Sequence, residues 1–218
     1  MNARDNILAR IRTRLVKRAT PGVGGRDAVR AYLAAHRQNA RPAADWNPLT
    51  RFREEALKLA STLDEVDSLD AVPAAVARYL DGQGLPRAAV CWDAFAALDW
   101  GAAGITVERR RSRETDLVGI TGAFCAIAET GTLMTLSGPQ TPASVSLLPE
   151  THVAIVEKAR IVNGMEEAWV LVRIERGALP RAVNFISGPS RTADIEQTVT
   201  LGAHGPYRVH IILVGDSA

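Results

Sequence analysis

Apolar and polar positions change rhythm about a quarter of the way along the chain. Residues 4–18 repeat apolar side chains at helical spacing (Ile7, Leu8, Ile11 and Leu15) inside a collar of Arg and Lys, which predicts an amphipathic helix. Pro21, Gly22, Gly24 and Gly25 break it. Further helical stretches cover Asp27–His36 and Pro48–Leu63, with a Pro-bearing linker at Arg41–Asn47 between them. From about residue 64 short apolar runs alternate with helical ones. Strands are predicted at Glu65–Leu69, Ala88–Trp92, Ile105–Glu108, Val118–Ile120, Cys125–Glu129, Thr132–Leu136, His152–Val156, Val183–Ile186 and Arg208–Val214. Helices are predicted at Val72–Leu80, Trp92–Leu98, Gly164–Ile174 and Thr192–Leu201. Strands separated by helices build a parallel sheet covered on both faces. Cys125–Glu129 and Thr132–Leu136 are joined by Thr130-Gly131 alone, which permits only an antiparallel hairpin. The expected fold is therefore α/β: a three-layer, mostly parallel sheet with an antiparallel hairpin inserted. A helical N-terminal arm (residues 1–50) precedes an α/β domain (residues 51–218).

Composition narrows the class. The chain has 218 residues, 47% of them hydrophobic and 23% charged, as in an ordinary globular protein. No apolar run reaches the roughly 20 residues of a membrane helix, and residues 1–20 lack the apolar centre of a secretory signal, so a cytoplasmic location is expected. Residues 1–60 carry net +8 and the remainder net −6. Of the 26 basic residues 23 are Arg, a bias that a GC-rich coding sequence produces by itself, and no nucleic-acid-binding module surrounds the basic arm; nucleic acid is not an expected partner. Cys91 and Cys125 are too few for a four-thiolate iron–sulfur cluster or a closed zinc site and read as small buried hydrophobes. No metal site and no cofactor is expected on this chain.

Three places could carry chemistry. The first is Asn184–Glu196, where a strand runs into Gly188-Pro189 and then a predicted helix. Beyond the carboxyl end of a parallel strand such a turn is where ligands bind, and Gly188, Ser190, Arg191 and Thr192 would form an anion pocket at a helix N-terminus, with Asp194 in its first turn. The same residues also describe a well-capped helix without a ligand. The second is Gly202-Ala-His-Gly-Pro206, whose His204 is a candidate for proton transfer or a structural loop residue. This loop leads from a helix into a strand, on the sheet edge opposite the usual ligand edge. The third is the hairpin tip Glu129-Thr130-Gly131, with Glu129 as general base, nucleophile, hydroxyl acceptor or simply a solvated turn carboxylate. Ser137-Gly-Pro139 echoes Ser187-Gly-Pro189 at a second strand end. Dinucleotide, P-loop, zinc-protease and serine-hydrolase motifs are missing from the sequence.

The order Ala126-Ile-Ala-Glu-Thr-Gly-Thr132, Ser146-Leu-Leu-Pro149, Ile186-Ser-Gly-Pro-Ser-Arg-Thr-Ala-Asp-Ile-Glu196 and Gly202-Ala-His-Gly-Pro206 resembles the LUD-domain family over roughly residues 50–218. The resemblance implies the fold of sugar-phosphate isomerases and CoA transferases. It also implies a part in oxidising L-lactate to pyruvate beside two partner proteins that carry iron–sulfur clusters, this chain being the subunit without one. Glu129 and His204 then become candidate catalytic residues. Thr130, Gly131, Gly188, Ser190, Arg191, Thr192 and Asp194 become candidates for holding a small carboxylate such as lactate or pyruvate. Two alternatives stand beside it: a free-standing transferase- or isomerase-like enzyme acting on a thioester or phosphorylated metabolite, and a purely structural adaptor.

Overall fold

The computed structural model describes residues 3–14, 23–38, 40–41, 43–192 and 200–215. The chain divides into two compact units, Met1–Ala43 and Ala44–Ala218. In the first, α1 (Ala3–Arg14) is helical where a helix is expected, but α2 (Val23–Ala34) starts earlier than the expected Asp27 and takes in Gly24 and Gly25, which were expected to break the helix; Leu15, Lys17, Arg18, Pro21 and Gly22 lie outside the described residues.

The second unit is built on a six-stranded, all-parallel sheet. Its strands, in chain order, are β1 (Thr62–Val66), β2 (Ala88–Cys91), β3 (Thr106–Glu108), β4 (Val118–Gly122), β7 (Thr151–Glu157) and β12 (Arg208–Val214). Across the sheet they run β1-β12-β7-β4-β2-β3. Between β1 and β7, β12 is an apolar ribbon, Val209–Val214 being buried throughout, as a strand covered on both faces requires. One face packs on α4 (Val72–Gly82), burying Val72, Val76 and Leu80 against Ile120, Val153, Ile155 and Ile212. The other face packs on Phe52 and Ala56 of α3 (Pro48–Lys58) and on a second sheet, through Ala126, Leu133, Ala154, Ile211 and Leu213.

That second sheet corrects one expectation. The hairpin β5 (Cys125–Ile127) and β6 (Thr132–Leu136) forms, with Ile127 opposite Thr132, but it is not inserted in the parallel sheet. It lies at the centre of a separate four-stranded sheet, β8-β5-β6-β9, flanked by β8 (Ile161–Val162) and β9 (Val183–Ile186). Helix α6 (Met165–Arg176) covers its far side, packing Ala168 and Val172 on Cys125, Ile127, Met134 and Leu136. A short helix, α5 (Ser144–Leu147), lies against β4 and β7.

Several boundaries differ for local reasons. The helix at Pro48 stops at Lys58, not Leu63: Ala60 adopts a φ of +64°, and the Ala60 and Ser61 N–H groups close on the Leu57 and Ala56 carbonyls. This frees Thr62–Val66 to form β1 ahead of its expected position. The helix expected at Trp92–Leu98 reduces to one 3-10 turn, Asp93–Phe95, because the buried Trp100 indole N–H takes the Phe95 carbonyl at 2.8 Å. The helix expected at Thr192–Leu201 is contradicted at both ends. Arg191–Thr192 (β10) pairs antiparallel with Thr200–Leu201 (β11), so backbone groups that a helix N-terminus would leave free are spent on a ladder; residues 193–199 lie outside the described residues.

Two histidines are buried in the parallel sheet. His152 Nε2 lies 2.7 Å from Thr121 Oγ1, and His210 Nδ1 lies 2.9 Å from Thr62 Oγ1 with its ring stacked on Tyr79. Burial pushes both down to about 4, with Asp64 pulling weakly the other way on His210. Below the free-histidine value near 6.5 the unfolded chain therefore binds more protons than the folded one. Stability is expected to be flat above pH 6.5 and to fall from there to about pH 4, by up to about 1.4 kcal/mol per pH unit per ring. Urea unfolding across that range checks this, and His210→Gln should roughly halve the slope; an unchanged slope would remove His210 from the account.

Candidate functional site

The hairpin tip and the turn after β9 come together on the last turn of α3. Gly131 has a φ of +62°, and a Cβ there would lie 2.4 Å from the Ala56 nitrogen; Gly188 has a φ of +76°, and its Cβ would lie 2.3 Å from the Leu59 carbonyl oxygen. Only glycine allows both turns to sit directly on the helix backbone. Hydroxyls join them: Thr130 donates to Thr132 at 2.8 Å, and Thr132 Oγ1 lies 2.7 Å from Ser187 Oγ. Glu129 is half-buried, its N–H on the Asn163 carbonyl and its carboxylate beside Gly164 at the start of α6.

From Gly188 the chain passes through buried Pro189 to Ser190. The Ser190 N–H donates to the Pro206 carbonyl at 2.8 Å, and its carbonyl accepts from Gly202 at 2.9 Å. Arg191 is exposed on β10, opposite Leu201, and Thr192 is buried opposite Thr200. His204 is exposed on the 202–206 loop. The candidates Glu129, Thr130, Gly131, Gly188, Ser190, Arg191 and His204 thus lie along one connected path. Asp194 lies outside the described residues.

The β9 turn on this path is not where it was expected, whereas the 202–206 loop lies on the expected edge. β9 belongs to the second sheet, so its turn does not lie beyond the carboxyl end of a parallel strand. Instead, Pro206 leads directly into Tyr207, whose N–H bonds to the Glu150 carbonyl just before β7, so Ser190 and His204 lie at the amino-terminal edge of the parallel sheet. Thr192 itself is a strand residue paired with Thr200, so it is not the helix start that was expected to face the anion. What remains for an anion is the Arg191 guanidinium and the Ser190 hydroxyl.

Sequence reasoning missed the opposite edge. β6 and β9 run antiparallel, which places Ser137-Gly-Pro139 and Ser187-Gly-Pro189 at opposite ends of the pair. The first of these turns borders a cavity of about 680 Å³ at the carboxyl ends of β2 and β4, and a second of about 350 Å³ adjoins it. The repeated Ser-Gly-Pro was the one sequence signal pointing there.

Cys91 and Cys125 are free and buried on β2 and β5. Burial pushes the Cys91 thiol up to about 12 and the Cys125 thiol to about 11, so neither offers the thiolate that a cluster or an electrophile needs. Ellman's reagent at pH 8 should leave both unmodified in the native protein and titrate both once urea is added. Prompt native reaction would contradict the burial. Among the described residues no group of His, Cys, Asp or Glu side chains could hold a metal ion, and no helix is long and apolar enough to cross a membrane.

The model of the LUD domain matches residues 56–214, nearly the whole of the second unit. The chain belongs to the LUD-domain family. LUD relatives of known name agree. The chain is 33% identical to lactate utilization protein C of Bacillus subtilis over 188 residues, which is 77% of this chain and 78% of that protein. It is 44% identical to lactate utilization protein C of an Exiguobacterium species over 102 residues, 45% of this chain and 44% of the relative. Among solved structures, a DUF162 family protein from Deinococcus radiodurans superposes with a TM-score of 0.57 at 21% identity, covering 80% of this chain and all of that one. That likeness supports the α/β fold of this LUD chain.

Proposed function

We propose that the chain is the cluster-free component of a cytoplasmic system oxidising L-lactate to pyruvate. Two iron–sulfur proteins would take up the two electrons released. The observation that carries this reading is the similarity to lactate utilization protein C of Bacillus subtilis across 78% of that protein's length. The two buried thiols support it from chemistry, since electrons leaving lactate would need an acceptor that these side chains do not supply.

Within this reading the lactate carboxylate pairs with Arg191, a planar bidentate donor that is exposed and has no ion-pair partner among the described residues. Ser190 adds a hydroxyl, and Gly188 keeps the turn close to the Glu129-Thr130-Gly131 tip. Glu129 on one side or His204 on the other takes the hydroxyl proton; the Cα–H bond breaks with its proton passing to water and its electron pair to the iron–sulfur partners, one of which closes the open side.

Affinity purification of the tagged chain from its own host tests the assembly. The expected eluate contains two iron–sulfur proteins, with iron present in the complex and none in the chain after it is separated. An eluate free of iron–sulfur protein, from cells growing on L-lactate, would overturn the reading. In the complex, Arg191→Ala should raise the KM for L-lactate by 10-fold or more, the worth of about one charge-assisted hydrogen-bond pair. An unchanged KM would take Arg191 out of the site.

A further inference from the structure

The larger cavity has a position and a lining that the lactate reading does not use. The chain leaves β2 through Trp92 and the Asp93–Phe95 turn, where Phe95 packs with the core on the α4 face of the parallel sheet. It leaves the adjacent β4 through Ala123 and Phe124 in the opposite direction, into β5 of the second sheet. Neighbouring parallel strands whose carboxyl-end connections diverge to opposite faces open a crevice, and this is where α/β sheets hold ligands. The cavity of about 680 Å³ lies in that crevice, bounded by Trp92, Phe95 and Phe124, by the Ser137–Thr141 turn and by the end of α6. Organic ligand sites run from about 300 to 1,000 Å³, so this one is far larger than a three-carbon acid fills.

Its charge is one-sided. Among the described residues Arg176, in the last turn of α6, is the one charged side chain lining the larger cavity, while the carboxylates Glu157 and Glu175 line the smaller one beside it. Nearby Arg160 is held by Glu175 through two contacts of 2.6 and 3.1 Å and by the Phe124 carbonyl, whereas Arg176 has no carboxylate in an ion pair among the described residues. Both guanidiniums lie over the Phe124 ring, Arg160 at 4.7 Å and Arg176 at 5.7 Å, so Phe124 supports the Arg176 head at the cavity wall. The Trp92 indole N–H is already bonded to the Pro142 carbonyl, leaving its ring as an apolar wall. Glu175, bonded to Arg160, still attracts Arg176 electrostatically, but among the described residues no carboxylate forms an ion pair with it; such a guanidinium beside aromatic surface, in a crevice of this size, matches an anion attached to a flat ring.

We propose that this cavity binds a planar-ring organic anion of mononucleotide size, with its anionic group on Arg176 and its ring on the Trp92–Phe95 wall. The site is separate from the Glu129–Arg191 path, so it stands or falls independently of lactate oxidation.

Titration of the full chain with AMP and with FMN, followed by calorimetry and tryptophan fluorescence, tests it; the two probes distinguish an adenine from a flavin ring. Saturable binding of at least one is expected. Adenosine, which lacks the anion, and inorganic phosphate, which lacks the ring, should each bind at least 10-fold more weakly, as loss of one charge-assisted contact or of the ring surface predicts. Arg176→Ala should raise Kd about 10- to 100-fold and Arg176→Lys by less, with the melting temperature unchanged because this side chain is exposed. The fluorescence response should vanish in Trp92→Phe while the calorimetric signal persists. No saturation by either mononucleotide up to about 5 mM, binding indifferent to Arg176→Ala, or a full fluorescence response in Trp92→Phe would each overturn the proposal.

Discussion

Replacing Gly131 with alanine should lower the unfolding free energy of the larger unit by about 2–5 kcal/mol, and Gly188→Ala should do the same. Two effects add at each position. A φ of +62° or +76° costs an L side chain about 1–2 kcal/mol. The new methyl would also lie 2.4 Å from the Ala56 nitrogen or 2.3 Å from the Leu59 carbonyl oxygen, far inside contact distance, and these backbone atoms belong to a helix that buries Phe52 and Ala56 completely. Movement of α3 away from the turns would open the core between it and Leu133, Ala154 and Ile211. Both substitutions push on the same helix end, so the double variant should lose less than the sum of the singles. Gly82→Ala is the control: it lies in α4 with open space around its Cβ position, and should be neutral or stabilising by up to about 1 kcal/mol. Urea melts of the four variants settle the matter. Losses under about 0.5 kcal/mol at Gly131 and Gly188 would mean that the turns do not pack on α3 in solution.

Continuous apolar runs were the most legible part of the sequence. Thr132–Leu136 and Arg208–Val214 form strands with the expected ends, since strands covered on both faces announce themselves without reference to their neighbours; Val183–Ile186, a half-buried edge strand, also has the expected ends. Signals that depend on distant partners were not legible. β1 carries Asp64 and Glu65, whose charges are answered by Arg78, Arg53 and Lys158, and only the fold brings these residues together. Ala60 terminates α3 without the glycine that usually marks such a stop. Thr192 looked like a helix start because Asp194 and Glu196 follow it, yet its backbone pairs with Thr200. The motif residues of the hairpin tip and the β9 turn do meet, through Thr132 and Ser187, on the helix that closes them in. Beyond the repeated Ser-Gly-Pro, the carboxyl-edge cavity was not legible, because Trp92, Phe124, Ser137 and Arg176 reach it from separate segments of the chain.

The central claim, a part in L-lactate oxidation, makes the largest functional prediction. A component required for the only route from lactate to pyruvate leaves no flux when it is removed, whereas pyruvate enters metabolism after the missing step. Deleting the gene in its own host should therefore abolish growth on L-lactate as sole carbon source and leave growth on pyruvate intact. The same strain, its membranes and its iron–sulfur proteins otherwise unchanged, should regain lactate growth with the wild-type gene and not with Arg191→Ala expressed at the same level. The most direct measurement is L-lactate-dependent oxygen uptake by the deletion strain beside the complemented one. Uptake falling to the background rate and returning with the wild-type gene is the predicted result; uptake unchanged by the deletion would contradict the proposed role.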